Sequence, residues 1–307
     1  MTKEMKAAVF NQFGDAEVMR LARVTVPKME RDQIRIKVKA AGLQPVDTKI
    51  RSGFFKEMTI DSPQLLGNEF AGIVDKVGSD VKAIRQGEEV IGWTMLSAHA
   101  EYVVVDPSQV VRKPNKMSWA QAGALSGSGQ TALMALEEIG VSRGDTLLIH
   151  AAAGGVGTMA VQLAKEIGAE VIGTASEANH DYLRALGATP VTYGEGLVQR
   201  VKQLTPQGVD AAIDAAGPEA LHASLVLVPS KDRIITTASR HLAKKTGVKV
   251  IRGERSQARL NKLTQLVDNG TLRVHVRKTF NLGEAIEAHR EVDVGHGYGK
   301  VVFVVGD

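Results

Sequence analysis

Cysteine is absent from the 307-residue sequence. Its absence excludes disulfides, iron–sulfur clusters, thiol nucleophiles and every zinc site built on thiolate. Aromatic side chains make up 4% of the chain, too few for the stacking platforms that hold single-stranded nucleic acid. Charge is nearly balanced: 38 Lys and Arg face 34 Asp and Glu, a surplus too small to mark a nucleic-acid binder. No apolar run reaches membrane-spanning length, and the opening MTKEMKAAVF lacks the basic-then-apolar layout of a secretion leader. The expectation is a soluble cytoplasmic protein with neither nucleic acid nor membrane as partner.

What is present is ordinary globular composition, 44% hydrophobic and 23% charged, over a length that suits two domains. The first part reads as β-rich. Short alternating segments recur at Lys6 to Phe10, Ile34 to Val38, Ala71 to Val77, Glu89 to Gly92 and Glu101 to Val105. Turn residues such as Gly14-Asp15, Gly78-Ser79-Asp80 and Asp106-Pro107 separate them. The pattern changes after Lys113-Pro114-Asn115. Ser118 with Gln121 three residues on suits a capping box, and apolar spacing from Thr131 to Ile139 is helical up to Gly140.

A strand–helix alternation follows. Thr146 to Ile149 reads as a buried strand, Val156 to Ile167 as a helix stopped by Gly168, and Glu170 to Thr174 as a second strand. Ala178 to Leu186 is helical up to Gly187, with further strands at Val209 to Ile213, Arg233 to Thr237 and Val248 to Ile251. Such alternation predicts a parallel sheet covered on both faces. A helix from Ser256 to Val267 ends at Asn269-Gly270, and the tail Lys300 to Val305 returns to β character. That tail is expected to pair with the N-terminal part, making the β domain discontinuous: 1–117 with 256–307, around a parallel-sheet domain at 118–255.

The most informative segment is Leu147-Leu148-Ile149-His150-Ala151-Ala152-Ala153-Gly154-Gly155-Val156-Gly157. A buried strand enters a glycine-rich turn that opens a helix. Backbone N–H groups at Gly154, Gly155, Val156 and Gly157 can approach a pyrophosphate there, and the helix N-terminus adds partial positive charge. Ala152 stands where the usual fingerprint has its first glycine. About 20 residues after such a turn, NAD-binding proteins place Asp or Glu on the ribose hydroxyls. Here the second strand leads into Ser176, which does not repel a 2′-phosphate, and Asn179 and His180 can donate to one. Glu177 works against this. The reading is dinucleotide binding with NADPH preferred.

Four stretches then carry a resemblance: AAGLQPVDTKIRSG (40–53), LGNEFAGIVDKVGSDVKAIRQGEEVIG (66–92), HAAAGGVGTMAVQLAK (150–165) and GYGKVVFVV (297–305). Together they resemble the medium-chain dehydrogenase/reductases, in the zinc-free quinone-oxidoreductase-like branch. The resemblance implies an α/β protein with a GroES-like β domain, a doubly wound Rossmann domain, and a cleft where NADPH donates hydride to a quinone or an α,β-unsaturated carbonyl. It also implies a homodimer. Gln44 and Asn68 stand where zinc members of the family carry Cys and His, so no metal is expected. By the same resemblance Gln44, Lys49 and Thr131 lie toward the nicotinamide, Tyr193 toward the adenosine phosphate, and Ala216, Gly217, Thr236 and Thr237 along the cofactor's path. Alternatives are an enoyl-thioester reductase and a non-catalytic NADPH-binding sensor or structural protein.

Several other residues invite a functional role. Tyr102 reads as packing rather than proton donation, and His150 as structural. Glu69 and Asp47 read as buried hydrogen-bonding groups. Residues 231–262 hold ten Lys and Arg against Asp232 and Glu254. This run reads as a solvated face, with Arg240 set apart by its place beyond a strand end.

Overall fold

The computed structural model describes residues 3–55 and 57–306; Met1 and Asp307, the outer bounds of the expected domains, lie outside them. The N-terminal part runs β1 (Glu4–Phe10), β2 (Arg20–Thr25), β3 (Ile34–Leu43), α1 (Pro45–Arg51), β4 (Gln64–Leu65), β5 (Glu69–Val77), β6 (Glu89–Trp93), β7 (Tyr102–Val105) and β8 (Val110–Arg112). Two helices, α2 (Trp119–Ala122) and α3 (Ser126–Glu138), lead out of it. The alternating region is β9 (Thr146–His150), α4 (Gly155–Ile167), β10 (Glu170–Ala175), α5 (His180–Ala185), β11 (Thr189–Thr192), α6 (Leu197–Leu204), β12 (Ala211–Asp214), α7 (Pro218–Leu227), β13 (Ile234–Thr236), α8 (Arg240–Thr246) and β14 (Lys249–Val250). The chain closes with α9 (Gln257–Asp268), β15 (Val276–Phe280), α10 (Ala285–Val294) and β16 (Lys300–Val304).

Three sheets result. β2-β1-β4 form a small antiparallel one, and β11-β10-β9-β12-β13-β14 a six-stranded parallel one. The third has seven strands in the order β15-β16-β3-β5-β6-β8, with β7 also paired to β3. The protein is therefore mixed α/β, a GroES-like sheet domain beside a Rossmann-like parallel sheet. The C-terminal β16 pairs antiparallel with β3, Val301 opposite Leu43 and Val304 opposite Ala40. No described helix is long and apolar enough to cross a membrane.

Local chemistry accounts for many element ends. Ser118 and Gln121 cap α2 reciprocally, Ser256 Oγ accepts the Arg259 N–H at the start of α9, and Gly168 at φ 94° closes α4 in the left-handed region. β9 is apolar on both faces because helices cover both sides of the parallel sheet. Other elements gave no such signal. α3 begins at Ser126 rather than Thr131, although Gly127 and Gly129 disfavour helix. Packing overrides that preference: a Cβ at Gly129 would stand 2.9 Å from Leu263 Cδ1, and one at Gly127 would strike Gln44. The final parallel strand is shorter than expected, Lys249–Val250. One apolar cluster runs from Ala40, Ala71 and Ile91 through Leu133 and Leu136 of α3 to Leu147 and Ile149, joining both domains.

Candidate active site

At the glycine turn the β9 strand stops at His150, Ala151 takes φ 54°, and Gly154 forms the N-cap of the 13-residue α4. The turn is tight enough that Gly157 admits no side chain. A Cβ there would stand 2.6 Å from Ala152 Cα and closer still to the Ala151 carbonyl oxygen. Ala152, in the fingerprint's first glycine position, is fully buried and donates its N–H to Thr174 O at 2.9 Å. Ala151, the residue before it, carries the left-handed backbone. The Gly154 N–H donates to Ala151 O at 2.9 Å, and the N–H groups that follow it at the start of α4 have no partner within the helix, the arrangement that suits an anion at a helix N-terminus.

A buried ion pair lies against this turn. Lys300, at the start of β16, lays its aliphatic stem over Gly155, with Cδ 2.8 Å from where a Cβ would be. Its ammonium donates to Glu69 Oε1 at 2.8 Å, and both side chains are buried. Glu69 also accepts from Gln44 Nε2 at 2.8 Å and from the Gly127 N–H at 2.6 Å. One carboxylate from β5 thus ties α1, α3 and β16 together beside α4. Asp47 lies next to it in α1, accepting from the N–H groups of Gln44 at 2.8 Å and Gly67 at 3.0 Å. Burial pushes the Asp47 carboxyl up and the His99 imidazole down, each opposed by the charge of the other.

Of the residues expected toward the nicotinamide, Gln44 belongs to this cluster, with its amide committed to Glu69. Thr131 lies one turn along α3 and donates to Gly127 O at 2.7 Å. Lys49 points elsewhere, its ammonium 5.3 Å from the centre of the exposed Phe54 ring.

The donor set does not fit a tetrahedral zinc ion. The two positions in question hold the amides Gln44 and Asn68, and the adjacent carboxylate is already neutralised by Lys300. No group of three or more His, Cys, Asp or Glu able to hold a metal occurs among the described residues.

The loops at the carboxyl ends of the parallel strands carry the remaining residues expected to line the cofactor. Asn179 is buried and commits its amide nitrogen to Ser176 Oγ and to His296 O, both at 3.2 Å. It therefore braces the loop rather than presenting free donors. His180 stands beside it, 3.5 Å from Thr192 Oγ1, and Tyr193 is exposed after β11. Ala216 and Gly217 donate their N–H groups to Asp214 Oδ1 at 2.9 and 2.8 Å. Thr236 is buried and turns its hydroxyl to Asp214 Oδ2, while the Thr237 N–H donates to Asp214 O. Asp214, which no local pattern marks, thus organises the two loops that follow β12 and β13.

The remaining candidates divide. His150 is fully buried against Ser224 Oγ, and burial holds its imidazole down at about 4. Tyr102 packs between the Lys3 ammonium and the Arg35 guanidinium. Six of the ten residues of the basic run, Lys231, Arg240, Lys244, Lys245, Arg252 and Lys262, are exposed; of the half-buried ones, Arg233 bonds Asp145 and the carbonyls of Ile139 and Gly140, Lys249 bonds Glu138 O, and Arg259 bonds Glu137. Arg240 is exposed at the start of α8, whereas Arg255 reaches Asn68 O at 2.7 Å.

Residues 30–115 match the family model of the alcohol dehydrogenase GroES-like domain, and residues 186–303 match that of the zinc-binding dehydrogenases. The chain is 31% identical over 314 residues to a 2-methylene-furan-3-one reductase of Solanum lycopersicum, spanning 97% of this chain and 79% of that protein. It is 31% identical over 315 residues to a chloroplastic NADPH-dependent alkenal/one oxidoreductase of Arabidopsis thaliana, spanning 98% and 79%. The solved structure of a quinone oxidoreductase from Coxiella burnetii is similar with a TM-score of 0.87 at 34% identity, over 99% of this chain and 100% of that one.

Proposed function

Because the chain belongs to the medium-chain dehydrogenase/reductase superfamily, in its quinone-oxidoreductase-like branch, we propose that it is a zinc-independent reductase passing hydride from NADPH to quinones or α,β-unsaturated carbonyls. The observation that carries this reading is the buried Lys300–Glu69 pair, packed by the lysine stem against the glycine turn and set beside amides unsuited to zinc. In this reading the N–H groups of Gly155, Val156 and Gly157 hold the pyrophosphate, while the Gly154 N–H closes the turn onto Ala151 O at 2.9 Å and the Lys300 stem packs beside them. Ser176 and His180 face the 2′-phosphate, Tyr193 flanks the adenosine, and the 216–217 and 236–237 loops border the cofactor's path.

Bound NADPH would supply the hydride. The chain's own work is to hold the acceptor against it, exclude water and stabilise negative charge developing on the acceptor oxygen. Conjugated acceptors suit a site without a Lewis acid, since their electrophilic carbon needs less activation. An enoyl thioester on a long carrier would call for a cationic groove, for which the exposed Arg240, Lys244 and Lys245 of α8 are the candidates, Arg233, Lys249 and Arg259 being committed to their own bonds. The test is steady-state oxidation of NADPH and NADH with a panel of quinones, enones and enoyl thioesters. Turnover confined to enoyl thioesters, or none with any acceptor, contradicts the proposal.

A further inference from the structure

Arg255 lies beyond β14, in the loop at the carboxyl end of the parallel sheet, where ligands of such sheets bind. The loop is pinned on both sides. The N–H groups of Arg252 and Gly253 donate to the Glu138 carboxylate, and the Ser256 N–H donates to Gln130 Oε1 at 2.8 Å. The backbone therefore fixes where the guanidinium goes. It crosses to the other domain, and Nη1 donates to the carbonyl of Asn68 at 2.7 Å. Glu69 and Asp47 are near enough to act on it electrostatically, yet it forms no ion pair with either among the described residues.

The other polar groups of this neighbourhood are committed or, like His99 Nδ1, sealed from solvent. Gln44 Nε2 and Lys300 Nζ both donate to Glu69, Thr131 Oγ1 donates to Gly127 O, and His99 faces Gly42 O. Arg255 differs. Its Nε and Nη2 make no hydrogen bond among the described residues, and neither is sealed from solvent. A planar, permanently charged donor fork thus stands half-satisfied beside the position where the zinc branch carries its metal.

Resting on the proposed reductase reading, we propose that Arg255 is a catalytic residue that donates to the acceptor's carbonyl oxygen as negative charge builds on it. For an enone, the β-carbon takes hydride from the reduced nicotinamide, which is left oxidised. The alkene electron pair moves to the carbonyl oxygen as an enolate held by Arg255, and a proton from water at the α-carbon completes the saturated ketone. Arg255 supplies the fixed positive charge that the missing metal would otherwise bring to that oxygen.

The experiment compares the wild-type protein with Arg255→Gln, Arg255→Ala and Arg255→Lys on one enone and one quinone, with cofactor affinity read by fluorescence titration. The expected result is a fall in kcat of about 100-fold for Arg255→Ala, the size seen when an oxyanion donor is removed. Cofactor Kd stays unchanged, Arg255→Lys retains part of the rate, and added guanidinium restores turnover to Arg255→Ala but not to the wild type. A structural bond to Asn68 alone would give no such rescue.

A second readout needs no turnover: the ionisation of 4-nitrophenol bound to the protein, followed by absorbance. The wild type is expected to favour the phenolate by about tenfold, one pKa unit, and Arg255→Gln to abolish that preference. Undiminished kcat in Arg255→Ala, or wild-type protein that leaves the probe's ionisation unchanged, overturns the assignment. Wild-type protein that shifts the probe but reduces no acceptor instead overturns the reductase reading and leaves the oxyanion contact standing.

Discussion

Lys300 and Glu69 stand 231 positions apart in the chain and meet through a 2.8 Å ion pair that is sealed from solvent, 4% and 0% exposed. The pair spans the two ends of the fold's β domain and rests on the turn that opens α4. Glu69 is fully satisfied only because Gln44, Gly127 and Lys300 all donate to it. Removing one partner of such a pair leaves a buried charge uncompensated, and that penalty dominates.

Lys300→Met is therefore expected to lower the free energy of unfolding by about 3 kcal/mol. Urea denaturation with a linear extrapolation measures it. NADPH affinity is expected to fall as well, because the stem of the same side chain lies over Gly155 at the start of α4. A variant as stable as the parent would mean that the pair is not held as described.

Gly157→Ala and Gly154→Ala separate two roles of the glycine turn. At Gly157 the new methyl meets backbone atoms of Ala151 and Ala152 that cannot rotate away, whereas at Gly154 the nearest atom is Ala151 O at 3.3 Å. Gly157→Ala is expected to cost about 2 kcal/mol or more of stability through overpacking, and Gly154→Ala much less. Thermal melts of both variants decide it, and equal losses would contradict the geometry.

Acid should destabilise the protein through its buried histidines. Burial holds His150 down at about 4 and His289 at about 3, both below the value of roughly 6.5 in an unfolded chain. As pH falls below about 6.5 the unfolded chain binds protons that the native state refuses, so stability is full above that pH and declines below it. For His150 the loss approaches about 3 kcal/mol by pH 4. His150→Gln is expected to flatten the slope of unfolding free energy against pH by about one proton between pH 6 and 5. An unaltered slope would show that His150 titrates normally in the folded protein.

In the proposed reading, cofactor choice turns on Ser176, the N-cap of the short turn that follows β10. A neutral residue there admits a 2′-phosphate, and Asp in its place would repel one while bonding the ribose hydroxyls. NADPH is expected to be used at least tenfold better than NADH, about 1.4 kcal/mol, with Ser176→Asp reversing the trend. Comparing kcat/KM for both cofactors with one acceptor checks this. Equal use by the parent protein, or no shift in the variant, would remove Ser176 from cofactor selection.

Legibility in the sequence followed how local the cause was. The Ser118–Gln121 box, the Gly168 cap and the strand–turn–helix at residues 146–167 depend on neighbours a few positions away, and all could be read directly. The start of α3 could not, because Gly127 and Gly129 look like helix breakers until Gln44 and Leu263 are packed against them. Lys300 reads as one polar residue in a β run, and its partner lies on a strand near the other end of the chain. The basic segment is mostly a solvated face, as its composition suggests, but which of its residues turns inward is not written locally. Arg240 drew notice for its place after a strand and is exposed, while Arg255, hidden in the same run, crosses to Asn68. Asn179 reads as a free donor by residue type, but its amide bonds Ser176 and His296. Contacts between distant segments have no local signature, so that part of the site emerges only with the fold.

Direct hydride transfer from NADPH to a conjugated carbon, without a metal, is the reaction proposed for this protein. Protein dialysed exhaustively against chelator is to be given NADPH carrying deuterium on the transferred C4 position, together with an enone, and the product analysed by mass spectrometry. The account predicts one deuterium at the product's β-carbon at an undiminished rate. Loss of turnover on chelation with recovery on adding zinc, or a product without the label, would contradict it.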